Sequence, residues 1–227
     1  MADLPLVSLT LLGGVLGLDA VSFPQAMLSR PIVAATLGGA VVADPLSGLL
    51  GGAALELVAL ETLPVGASRY PEWGSASVVA GALIGAYGER SPGALSVSLF
   101  AAIATGWIGG WTMVQLRGLN AAMARRLRPA INAGSPNAVV GLQFAGLLAD
   151  YLRGAALTII ALIAFDPLMR AALGVWGASP RYSRAVAIAV AASVASGAVW
   201  KLFRGTTNAR WYLVGGLALG LAAMALT

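Results

Sequence analysis

Asp44 and Glu56 are the residues on which any chemistry in this chain centres. Both sit in strongly apolar sequence, AVVADPLSGLL and ALELVAL. A carboxylate in such surroundings is costly to bury and normally faces protein or a water-filled cavity. Pro45 follows Asp44 directly. It removes one backbone donor and disfavours helix at Asp44, so carbonyls and amides are left free at that point. Carboxylates beside exposed backbone groups suit the hydroxyls of a neutral sugar. Each acid also has a structural reading. Asp44 fits as the cap of the half-helix that follows. Glu56 fits as one half of an internal ion pair with Arg30 or Arg69.

Two further groups carry hydroxyl-binding chemistry. The segment PVGASRYPEWG offers Arg69, Tyr70, Glu72 and Trp73. An aromatic ring can cover the apolar face of a sugar while Arg and Glu bind its hydroxyls. The same residues suit a turn at the membrane interface. Asp19, Ser22 and Gln25 bracket another break, and Gln25 can donate and accept at once. Asp150 and Arg153 lie three apart on one helix face and read as a buried structural pair. Gln143 lies two turns before them. The chain has no His and no Cys. That excludes imidazole and thiolate catalysis and most zinc sites. With no nucleophile motif, phosphate-binding glycine loop or metal cluster, we expect no catalytic residue, cofactor or metal.

These residues need unusual elements to position them. Of 227 residues 59% are hydrophobic and only 10% charged, far below the roughly 25% of a soluble domain. The expected class is an all-α, polytopic membrane protein. It should have broken or re-entrant helices and roughly six to eight membrane-embedded segments. Leu6 to Leu18 is short for a span, and Pro24 and Pro31 break the sequence after it. Ile32 to Val42 and Leu46 to Leu60 read as half-helices around Asp44-Pro45, followed by a polar turn from Glu61 to Trp73. Ser75 to Tyr87 is again short, and 89–92 reads as a turn. Gly93 to Leu116 is long enough to cross. Arg117 to Asn137 reads as a cytoplasmic loop. Ala138 to Phe165 crosses and should end at Asp166-Pro167. Ala185 to Trp200 and Trp211 to Leu226 complete the set. We expect one membrane permease domain over 1–227, with the broken-helix motifs in about 20–90 and supporting helices in about 93–227.

The net charge is +5. The basic residues flank apolar runs, at Arg117 to Arg128 and again at Lys201, Arg204 and Arg210. The positive-inside bias accounts for them, and no nucleic acid is implied. The N-terminal run has no basic lead and no cleavage site, so no removable signal is expected. Leu12-Gly13-Gly14 precedes Asp19 at the same spacing as Leu37-Gly38-Gly39 precedes Asp44.

One resemblance extends this reading. Arg30-Pro31-Ile32-Val33-Ala34, Leu37, Gly38, Asp44, Gly48, Gly51-Gly52, Leu55-Glu56 and Pro64-Val65-Gly66-Ala67 resemble the membrane subunit IIC of the mannose/sorbose family of sugar phosphotransferase systems. Order and spacing agree over about forty residues. The resemblance implies a sugar permease that imports a hexose. Partner proteins then phosphorylate it: a second membrane subunit, IID, and soluble IIA and IIB phosphocarriers. It also implies an oligomer in a bacterial cytoplasmic (inner) membrane. Asp44 and Glu56 fall in the polar motif, with Gln25, Arg69 and Glu72 near it as substrate-binding candidates. Ala43 departs from the glycine common before the motif Asp. Two alternatives stand beside this one: a stand-alone proton-coupled transporter, and a non-transporting membrane partner or sensor of a reduced phosphotransferase system.

Overall fold

The computed structural model describes residues 4–60, 69–87, 92–175, 180–203 and 205–226. Eight helices occur among them: α1 (Leu6–Asp19), α2 (Pro31–Val41), α3 (Pro45–Ala59), α4 (Trp73–Ala86), α5 (Pro92–Asn132), α6 (Pro136–Val175), α7 (Pro180–Phe203) and α8 (Ala209–Leu226). No strand occurs among the described residues. Proline opens five of the eight helices, at the position where its missing N–H and fixed φ cost nothing. The expected half-helices around Asp44-Pro45 are α2 and α3.

Helix lengths divide the molecule in two. The first four helices have 14, 11, 15 and 14 residues. At 1.5 Å per residue they reach only about 16–22 Å, short of a hydrocarbon core of about 30 Å. Helices α5 and α6 have 41 and 40 residues, or about 60 Å each. Both are long and apolar enough to cross a membrane.

Helix α4 is the centre of the fold. It is buried on every face from Trp73 to Gly85 and packs against α1, α2, α3, α5 and α6. Small side chains permit this. A Cβ on Gly81 would lie 1.9 Å from the Ala35 carbonyl oxygen, and one on Gly74 would lie 2.2 Å from that of Leu16. Backbone-to-backbone approach of this kind is how helices associate where no hydrophobic drive separates them from lipid. Large apolar side chains instead point outward, among them Phe100, Trp107, Trp111, Ile160 and Ile163.

Two expectations are corrected. Arg117 to Asn137 is not a loop. Helix α5 runs through it to Asn132, and only residues 133–135 connect it to α6. The stretch AAMARRLRPA is rich in good helix formers, and this outweighs its polarity. Gly134, at φ +79°, ends the helix, with the Ser135 N–H donating to the Ala130 carbonyl in the manner of a left-handed C-terminal cap. Nor does Asp166-Pro167 end a helix, because α6 continues to Val175. Asp166 pairs with Arg170 one turn on, at 2.8 Å, and accepts a hydrogen bond from the Tyr87 hydroxyl, which anchors the chain across the proline. Most of the expected turn at 89–92 and most of the turn from Glu61 fall outside the described residues, and Pro92 already opens α5.

Candidate functional site

The break between α1 and α2 builds a cavity. Asp19, the last residue of α1, is 2% exposed. Its carboxylate accepts the N–H groups of Ala26 and Ser29, each at 2.7 Å. Those two bonds fold residues 20–30 into a compact loop. Gln25 and Met27 adopt left-handed backbone conformations, at φ 60° and 62°, which non-glycine residues rarely hold without external constraint. The side-chain amide of Gln25 donates to the Val21 carbonyl.

This loop faces the segment that leads into α4. Between them lies a cavity of about 310 Å³, lined by Asp19, Gln25, Met27, Ser29 and Arg30 on one side and by Ala59, Tyr70, Pro71, Trp73 and Gly74 on the other. The volume is at the lower end of small-molecule sites, roughly 300–1,000 Å³. The second wall is held rigidly on α5. The Glu72 N–H donates to the Gly106 carbonyl at 2.9 Å. The Tyr70 carbonyl lies where a Cβ on Gly110 would be, at 2.2 Å. The Tyr70 hydroxyl accepts a hydrogen bond from Arg117 at 2.9 Å, and the same guanidinium sits over its ring at 5.3 Å. A carboxylate, an amide, a guanidinium and two aromatic rings thus surround one small cavity, the mix of few polar groups on an apolar lining that small-molecule pockets share.

The candidates from the sequence are dispersed relative to this cavity. Gln25 lines it. Glu56 stands behind it, paired with Arg30 and accepting the Ile32 N–H at 3.2 Å. It thereby holds Arg30, which does line the cavity. Glu72 is 1% exposed and caps α4 through the Ser75 N–H at 3.1 Å, directly before Trp73. Arg69 is exposed, with its guanidinium 5.8 Å from the Trp107 ring centre. Asp44 is not among the lining residues. It caps α3 through the N–H of Ser47, at 3.0 Å, and accepts the Ser47 hydroxyl. Gln143 is exposed on α6.

Sequence reasoning paired Asp150 with Arg153 but did not connect them to the cavity. The Arg153 Nε donates to Asp150 at 2.9 Å, and the other Asp150 oxygen accepts the Ser22 hydroxyl. Residues 128 positions apart carry no spacing signal for this contact. The coupling of Arg117 to Tyr70 was invisible for the same reason.

Residues 4–180 match the family described as the sorbose-specific IIC component of the phosphotransferase system. The match takes in every cavity residue and stops where α7 begins. The chain is 33% identical over 84 residues to the fructose permease IIC component of Bacillus subtilis (strain 168), covering 37% of this chain and 31% of that protein. It is 25% identical over 138 residues to the sorbose-specific EIIC component of Lacticaseibacillus casei, covering 61% of this chain and 48% of that one. The chain thus spans about half or less of the length of these relatives. A solved structure described as a membrane protein superimposes with a TM-score of 0.69 at 19% identity, covering 100% of this chain and 94% of the other. That likeness shows a shared fold.

Proposed function

This chain belongs to the family of sorbose-specific IIC components of the phosphotransferase system, and on that premise we propose that it is the sugar-translocating subunit of such a system. Its substrate is a hexose, and the names of its relatives make fructose and sorbose the first sugars to test. It works as a single, multi-pass domain in a bacterial cytoplasmic membrane, assembled as an oligomer with a IID-type subunit. The sugar is phosphorylated by soluble IIA and IIB carriers. This division of labour suits a chain without histidine, since phosphate carried on histidine must reside on a partner.

The observation that carries the reading is the cavity at the α1–α2 break. Trp73 and Tyr70 offer apolar surface to a sugar ring, and Gln25 and Arg30 offer donors and acceptors to its hydroxyls, while Asp19 holds the loop that presents them. Gln25 is assigned direct contact. Glu56 acts through Arg30, and Glu72 acts by seating Trp73. Asp44 shapes the α2–α3 hairpin, and Arg69 lies at the rim. Broken helices around a central site are a transporter architecture, in which the unwound segments meet substrate and one helical unit moves against another.

The test is transfer of phosphate from phosphoenolpyruvate to labelled hexoses, in membrane vesicles supplied with the partner proteins. Sugar phosphate should accumulate only when the chain is present, and Trp73→Ala should lower the yield about tenfold or more. The yield should survive an uncoupler of the proton gradient. Uptake without phosphorylation that collapses with the gradient would instead establish a proton-coupled transporter. Binding of the partners with no sugar flux would establish a non-transporting partner.

A further inference from the structure

We propose that the buried Asp150–Arg153 pair of α6 is a positioning element that holds the two walls of the cavity in register, with Ser22 as its latch on the loop wall. This rests on the cavity being the sugar site.

Asp150 is 1% exposed and the Arg153 side chain 8%. They are joined through the Arg153 Nε at 2.9 Å and Nη2 at 2.8 Å. The buried Arg153 Nη1 and Nη2 make no hydrogen bond among the described residues beyond this ion contact, and a buried pair of this kind is expensive to hold inside a membrane protein unless it fixes geometry. Each partner reaches one wall. Asp150 uses its second oxygen to accept the Ser22 hydroxyl from loop 20–30. Arg153 places Nη1 3.9 Å from the Glu72 carboxylate, which is 1% exposed and is the residue before Trp73. That separation is too long for a hydrogen bond, and the Glu72 Oε2 atom has no hydrogen-bond partner among the described residues. The ion pair is therefore a soft link on the α4 side and a direct bond on the loop side.

The loop needs such a link. It contains two left-handed non-glycine residues, Gln25 and Met27, a state that persists only when the surroundings enforce it. Asp19 supplies one anchor from the loop's own base. Ser22–Asp150 supplies a second, from a different helix. Around it α1 and α6 are locked by close backbone approach: a Cβ on Gly154 would meet the Gly13 carbonyl at 2.9 Å. Helix α6 cannot easily follow the loop outward, so loss of the Ser22 bond should free the loop alone.

Removing Asp150 or Arg153 would strand a buried charge and risk misfolding. Ser22 is exposed, and changing it leaves the Asp150–Arg153 ion pair in place. The experiment is hydrogen exchange of the amides of residues 20–30 in the full chain in lipid nanodiscs, paired with the KM and Vmax of hexose uptake. Ser22→Ala should accelerate exchange at Ala26 and Ser29 about tenfold, the scale of one hydrogen bond to a charged acceptor. It should raise KM while Vmax holds. Ser22→Thr, which keeps the hydroxyl, should restore both. Exchange within twofold of the parent in Ser22→Ala would overturn the latch, and so would acceleration spread evenly over α1 to α6. A raised KM with unchanged exchange would also overturn it, because Ser22 would then be touching sugar. If no hexose is transported by the parent chain, the cavity reading fails, while the exchange result still decides the latch.

Discussion

Two breaks in this chain begin with the same sequence and end differently. Leu12-Gly13-Gly14 leads to Asp19, and Leu37-Gly38-Gly39 leads to Asp44. In both places a helix stops, and the carboxylate accepts backbone N–H groups beyond it. Asp44 is followed at once by Pro45, so α3 starts immediately and the carboxylate accepts from its first turn, at Ser47. After Asp19 no helix restarts until Pro31. Its carboxylate therefore reaches seven and ten residues ahead. The span between becomes a loop, and the loop becomes a cavity wall. What distinguishes a capped turn from a cavity wall is thus the distance to the next helix start, while the acid and the glycines are common to both.

Substitutions can break or sharpen that contrast. The largest effect belongs to Asp19. Two hydrogen bonds to a carboxylate, each worth about 1.5–3 kcal/mol, should be lost in Asp19→Ala, lowering hexose uptake by on the order of 100-fold or more. Near-normal uptake would make both acids simple caps. Glu56→Gln should come next. It releases Arg30 from a partly exposed ion pair worth up to about 1 kcal/mol, so uptake KM should rise roughly fivefold while the protein assembles normally. Asp44→Ala should destabilise the chain by about 1 kcal/mol, read as thermal denaturation in detergent, and Asp44→Asn should recover most of it. If Asp44→Asn melts normally but abolishes uptake, Asp44 contacts the sugar and the contrast fails. The smallest effect belongs to Arg69→Ala. An exposed cation–π contact with Trp107 contributes about 0.5–1 kcal/mol, and uptake should change by about twofold at most.

Much of this was legible in the sequence, and the exceptions have physical causes. Prolines at 31 and 45 located two half-helices to within a residue, because proline both stops one helix and opens the next. Polarity misled at Arg117 to Asn132. Arg, Ala, Leu and Met favour helix whether or not they sit in lipid, and hydropathy locates a membrane boundary rather than a helix end. Pro167 misled because side chains from elsewhere, Tyr87 above all, secure α6 at Asp166. For the site, local motifs located Gln25, Tyr70 and Trp73 but not their convergence. The same motifs gave Asp44 and Glu56 prominence as lone acids in apolar sequence. Such acids stand out whether they meet a ligand, a helix end or an arginine, and composition cannot separate the three.

The chain has no native cysteine, which permits one direct test of the cavity. A single cysteine introduced as Met27→Cys lies on its lining and is open to a maleimide, since Met27 is 74% exposed. A second, Ala133→Cys, lies in the α5–α6 connection, remote from the cavity in sequence. If the cavity holds the transported hexose, that sugar should slow labelling at position 27, with half-protection near the uptake KM, and leave position 133 unaffected. Equal labelling of Met27→Cys with and without saturating sugar would contradict the assignment of this cavity as the sugar site.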